Sequence, residues 1–157
     1  MAKPWNIIDL DPSASLRAGL RKIAETRLQE TLSYEHATLV GEDIEALHDM
    51  RVSARRLRAV LRLFRDCFPR KKFKRHDEKL QMLIRALGPV RERDVLIGSL
   101  RDYRSRLRAE DGKVIDLLLA REETVRAKER KSMVQALRKL KRSKFEASFK
   151  EFVRTSL

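Results

Sequence analysis

The sequence predicts an all-α fold, an antiparallel helical bundle of four long helices plus short terminal helices. Apolar residues recur at three- and four-residue steps through most of the chain, the period of a helix with one buried side. The 5 Gly and 4 Pro fall where those patterns break, not inside them. No alternating apolar and polar run competes for a strand.

Taken in order, Asp11 and Pro12 predict an N-cap with proline at the first helical position. Leu16, Leu20, Ile23, Arg27 and Thr31, broadened by Leu28 and Leu32, then carry a helix to about Tyr34, and Gly41 interrupts the chain. Leu47, Met50, Ala54, Leu57, Leu61, Phe64 and Phe68 give the clearest helix, over about residues 44–68, closed by Pro69. A basic run, Arg70, Lys71, Lys72, Lys74 and Arg75, leads into a third helix with Leu80, Leu83, Ile84 and Leu87 on its apolar side. Gly88 and Pro89 predict a corner, by the logic of a Gly cap followed by proline.

A fourth helix follows from about Val90 to Leu107, with Val95, Ile97 and Leu100 as packing residues. Gly112 starts the segment from Lys113 to Leu140. That segment reads as one helix of about 28 residues, roughly 42 Å long, or as two with a break near Ser132. Phe145, Phe149 and Phe152 form a last short stripe, able to dock on its own bundle or on a neighbouring molecule.

The length, 157 residues, suits a single domain with one core. Lys and Arg number 37 against 23 Asp and Glu, a formal charge of +14, which attracts polyphosphates, nucleic acids or anionic surfaces without choosing among them. Cys67 is the sole cysteine, so no intrachain disulfide and no site built on several thiolates can form. With no secretory pattern and no apolar run of about 20 residues, the expected compartment is the cytoplasm.

The distribution of charge is more informative than its sum. His48, Arg51, Arg55, Arg58, Arg62 and Arg65 are spaced by three or four residues, so they form a ladder within a sector of roughly 100°. The ladder borders the apolar stripe, a position from which it can line a groove between helices. From His48 to Arg75 there are eleven Lys or Arg against two acids. Like-charged neighbours such as Arg51/Arg55, Arg58/Arg62 and Lys71/Arg75 each cost about 0.2–0.5 kcal/mol unless an anion arrives. Arginine's planar fork suits paired contacts with phosphate oxygens. His48 at the ladder's edge can add a ring donor, or a charge once protonated.

The segment ALHDMRVSARRLRAVLRLF, residues 46–64, resembles the signature helix of the CHAD family, the histidine-containing α-helical domain that binds inorganic polyphosphate. ALGPVRERDVLIGSL, residues 86–100, is similar to that family's second motif, with Leu87, Gly88, Arg91, Asp94 and Val95 fitting and Glu92 standing where aspartate is usual. The resemblance implies a ligand-facing set of His48, Arg51, Arg55, Arg58 and Arg62, with Arg56 added although its direction departs from the ladder. Arg65 extends the set, Arg91 adds a donor, Asp94 orients an arginine, and Lys71, Lys72, Lys74 and Arg75 form an additional basic rim.

Fuller members of that family carry two related bundle halves, and this sequence resembles one. His36 and His76 are not followed by a second ladder. Either one half makes a shallower groove, or two chains pair so that each motif helix supplies one shared channel, flanked by the fifth helix and the Phe stripe. The resemblance further implies association with polyphosphate granules in the cytoplasm.

An enzyme is the weaker class. The sequence has no Gly-rich phosphate loop with its Lys and Ser/Thr, no HExxH and no acidic set at metal spacing, so no cofactor or metal is expected. Binding along a nucleic-acid backbone is the alternative, although Asn and Gln that read bases are scarce on the motif helix and no aromatic platform interrupts it. A membrane-surface role is disfavoured, because the bundle core needs the Leu and Phe stripe.

Overall fold

The computed structural model describes residues 3–157. It contains α1 (Leu16–Ser33), α2 (Glu35–Val40), α3 (Ile44–Leu63), a 3₁₀ turn (Arg65–Cys67), α4 (Arg70–Arg104), α5 (Lys113–Arg142) and α6 (Phe145–Ser156), with no strand among the described residues. α4 is the spine. It packs against both α3 and α5, while α1 lies on α3 and α6 touches both α1 and α5. Leu20, Leu28, Leu57, Leu61, Leu80, Leu87, Val90 and Phe149 form the buried centre.

The first helix starts later than the Asp11–Pro12 signal predicts. Ser15 caps it, accepting from the Ala18 N–H at 3.2 Å. Asp11 instead accepts from the Ser13 N–H and hydroxyl at 2.8 and 2.7 Å, which closes a local turn. Gly41 ends α2 as expected. Its φ of 78° is left-handed backbone, and its missing side chain leaves room for the Arg130 guanidinium. Arg130 donates to the carbonyls of Thr38, Leu39 and Val40, capping α2 from across the bundle.

The predicted corner at Gly88–Pro89 is not a corner. α4 runs through both residues as one helix of 35 residues. A proline inside a helix removes one hydrogen bond and costs about 3 kcal/mol, but the flanking Leu87 and Val90 are wholly buried and hold the helix together. Pro89 lies on the exposed side, where water can satisfy the carbonyl that loses its partner. Gly88, with no Cβ, relieves the usual clash of a residue preceding proline. α5 is likewise unbroken, so Ser132 marks no interruption.

Two further expectations change. Val95 is exposed, not packed, whereas Ile97 is buried. The stripe of Phe145, Phe149 and Phe152 is buried in its own bundle and so cannot flank a pairing contact. There it meets His76, whose ring stacks on Phe152 at 4.3 Å between centroids and 11° between planes. Nδ1 of His76 lies 2.9 Å from the Lys72 carbonyl, and Nε2 lies 3.2 Å from the Ser148 hydroxyl.

Burial pushes the His76 pKa below its usual value, outweighing the two hydrogen bonds. A histidine with a lowered folded-state pKa binds more protons when unfolded, so stability should fall as pH drops through about 6.5 and continue to fall toward the folded pKa. His76→Phe, which preserves the stack, should flatten that part of the profile in thermal melts at pH 7, 6 and 5. Leu57 is fully buried, and Leu57→Ala should cost about 2–5 kcal/mol. By contrast, a Cβ at Gly98 meets nothing within 4 Å, so Gly98→Ala should stabilise α4 by about 0.5–1 kcal/mol in denaturant titrations.

Candidate functional site

Asp43 caps α3 by accepting from the Glu45 N–H at 2.8 Å, with Glu45 in the first turn and Arg62 in the last, both favourable to the helix dipole. Burial of Leu47, Met50, Ala54, Leu57 and Leu61 fixes the rotation of α3. That rotation places the ladder at the border of core and solvent. His48, Arg51 and Arg58 are half-buried, and Arg55 and Arg62 are exposed. Arg55, Arg58, Ala59 and Arg62 line an open cleft of about 230 Å³ with Ile84 of α4.

Arg58, the middle rung, is clamped by a residue that the sequence reading did not single out. Its Nε and Nη2 donate to the two carboxylate oxygens of Asp77 at 2.7 and 3.0 Å. This hydrogen bonding raises the Arg58 pKa, against a smaller opposing effect of burial. The guanidinium is thereby fixed in direction, with its Nη1 donors left for a ligand. The only sequence hint of Asp77 is an acid directly after a basic run.

At the other end of the ladder, the two motif segments meet. Arg51 lies over Gly88, where a Cβ would stand 3.9 Å from its Nε. Arg91 reaches back to Glu45 at 3.0 Å. Arg51 Nε, His48 Nδ1 and Asp49 Oδ1 are buried polar atoms with no hydrogen-bond partner among the described residues. Such orphaned atoms are costly and mark a place where a polar ligand or water is wanted. Glu45, His48 and Asp49 also bring one potential metal-ligating atom each within 4.8 Å of one another. Glu45 is already paired with Arg91, however, and the adjoining arginines oppose a cation.

Other expected members go elsewhere. Arg56 turns toward α1 and pairs at 3.3 Å with Glu30, a wholly buried acid that also takes Arg27 at 2.6 Å, so Arg56 holds the core instead of joining the ladder. Asp94 is buried against Arg126 of α5 and orients no ladder arginine. Arg65 lies in the 3₁₀ turn beyond the end of α3, exposed and 3.5 Å from Asp66, because the helical register stops at Leu63. Lys71, Lys72, Lys74 and Arg75 lie exposed on the first turns of α4. Within this rim Lys72 reaches Thr155 at 3.3 Å and Lys74 reaches Glu78 at 3.9 Å.

Fold and site together define an all-α bundle that presents a cationic cleft between two packed helices. The profile of the CHAD domain matches residues 9–157, and the chain belongs to that family. The crystal structure of the CHAD domain from the plant Ricinus communis is 27% identical, with a TM-score of 0.75 over 98% of this chain and 52% of that one. The chain therefore spans about half the length of that relative. No match was found among curated proteins. Among the described residues no helix is long and apolar enough to cross a membrane.

The ladder divides in its contribution to stability. Arg58→Ala leaves Asp77 without its partner and should cost about 1–3 kcal/mol. Arg55→Ala and Arg62→Ala, at exposed positions, should stay within about 0.5 kcal/mol of the parent. Chemical denaturation of the three variants checks this ranking.

Proposed function

We propose that the chain binds inorganic polyphosphate along α3 without hydrolysing it. The observation that carries this reading is the open cleft of Arg55, Arg58 and Arg62, continued by Arg51 and His48 toward Arg91. From His48 to Arg62 the ladder extends about 21 Å along the helix, at 1.5 Å per residue. A flexible chain of repeated phosphates can meet successive rungs with the same kind of contact. Family membership supports the reading, and two acids beside the ladder, Glu45 and Asp77, are already paired with Arg91 and Arg58, which suits gripping better than cleavage. The cellular setting that follows is the cytoplasm, at polyphosphate deposits.

Replacing Arg51, Arg55 or Arg62 by Ala should weaken binding of long-chain polyphosphate severalfold more than replacing Arg17 or Lys113, although each change removes one positive charge. Arg27 is unsuitable as a control, because it holds the buried Glu30. Binding should weaken steeply with salt, since each phosphate contact releases counterions. Titrations at two ionic strengths, with a phosphate-release assay alongside, test both clauses. Equal losses across the two groups, or turnover of the polymer, would defeat the reading. A duplex that outcompetes polyphosphate for the same cleft would move the assignment to nucleic acid.

A further inference from the structure

α4 and α5 form an antiparallel hairpin whose two sides differ. On one side Arg101 pairs with Glu123, and Asp94 with Arg126. Gly41 at the end of α2 and Ile44 at the start of α3 close a cleft with those residues, so the body of the bundle lies on this side. The opposite side is marked by Arg93, which donates to Glu122 at 2.8 Å and lies 3.6 Å from Glu129. Arg93 belongs to the α4 stripe Met82, Pro89, Arg93, Leu96, Leu100 and Tyr103, spaced by threes, fours and one double step. Glu122 and Glu129 belong to the α5 stripe Val114, Leu118, Glu122, Val125 and Glu129. Because one guanidinium touches both stripes, both face the same way.

Around the central ion cluster of Arg93, Glu122 and Glu129 this side is open and largely apolar. Met82 is 42% exposed, Leu96 38%, Tyr103 54%, Val114 65% and Leu118 37%. Single exposed apolar residues need no explanation, but a contiguous stripe on two neighbouring helices does. A helix pair with one apolar side reaches a stable arrangement by burying it against another layer.

We propose that this face pairs with the same face of a second copy of the chain, forming a four-helix layer of two hairpins. From Met82 to Tyr103 it measures about 32 Å by roughly 20 Å, about 640 Å² per partner, within the lower part of the range of about 600–1,000 Å² per partner of a specific interface. The charges at its edges choose a second copy over other occupants. Glu92 lies on the outer edge of the α4 stripe, and Arg121 and Lys128 lie on the outer edge of the α5 stripe. None of the three has an ion pair within the chain among the described residues. Arg93 bonds to Glu122 and Glu129, so Glu92 stands level with the α5 segment that carries Arg121 and Lys128. A two-fold axis along the hairpin sets α4 of each copy against α5 of the other, with Glu92 facing the partner's Lys128 and Arg121. Such pairing offsets part of the repulsion between two chains of formal charge +14. The ladder on α3 lies across α4 from this face, so the dimer carries two separate clefts and no shared channel. The proposal stands independently of what the clefts bind.

Sedimentation velocity of the full chain, from low micromolar to several hundred micromolar, should show mass moving from 18.4 kDa toward twice that value. Leu118→Glu and Leu96→Glu should each raise the dimer dissociation constant at least about tenfold, with circular dichroism and melting temperature unchanged. Leu63→Glu, at a side chain 76% exposed elsewhere, should change nothing. Glu92→Lys should weaken the dimer, and Glu92→Lys combined with Lys128→Glu should recover it. Such recovery would also separate this register from nonspecific apolar association. A parent that is monomeric at every concentration, a dimer indifferent to Leu118→Glu, or a double variant that fails to recover would overturn the proposal. Loss of polyanion binding by the monomeric Leu118→Glu variant would overturn its separate-cleft arrangement.

Discussion

α4 keeps its helical course through Gly88 and Pro89 because Leu87 and Val90 are more favourable buried than the lost hydrogen bond is costly. Most of the remaining architecture hangs on that continuity. A break there would detach Asp77, which clamps Arg58, from Asp94, which pairs with Arg126. It would also move Gly88 from beneath Arg51. The two motif segments meet because one rigid rod carries the second of them past the first.

The charge of the chain divides by task, and total charge conceals the division. Arg27 and Arg56 compensate the buried Glu30, Arg126 compensates the buried Asp94, and Arg130 caps α2. Each contributes to the fold, since a buried carboxylate left alone would be strongly unfavourable. Arg55 and Arg62 have no such duty and face solvent. Arg58 stands between the two groups, tied to Asp77 yet lining the cleft. Cationic residues that the core does not need are the ones that the proposed polyanion would meet.

The elements were legible in the sequence wherever local chemistry decides them. The three- and four-residue rhythm revealed α1 and α3, Gly41 and Gly112 marked real boundaries, and the ladder of His48, Arg51, Arg55, Arg58 and Arg62 does share one edge of α3. What failed depended on partners distant in the chain. Gly-Pro reads locally as a stop, and only the packing of Leu87 and Val90 overrides it. Arg56 sits beside ladder residues in sequence but finds Glu30 on α1, a contact no helical spacing could supply. Pro12 resembled a helix start, yet Asp11 bonded Ser13 first and left the cap to Ser15. Asp77 was missed because an acid after a basic run looks like charge relief, whereas its role is set by the way α3 lies on α4.

The side of α4 on which each surface lies decides how assembly and ligand binding influence one another. Two ladders lining a common channel would bring many positive charges within one Debye length, about 10 Å at 0.1 M salt, so pairing would need the anion to offset repulsion. With the hairpin face on one side of α4 and the ladder on the other, at least two helix layers separate the clefts of paired chains. At 8–10 Å per layer, that separation exceeds the screening length. In the proposed dimer that repulsion is largely screened, apolar burial can hold the pair without ligand, and each cleft would meet the proposed polyanion nearly as it would in the single chain. The geometry thus removes the thermodynamic necessity of coupling that a shared channel imposes.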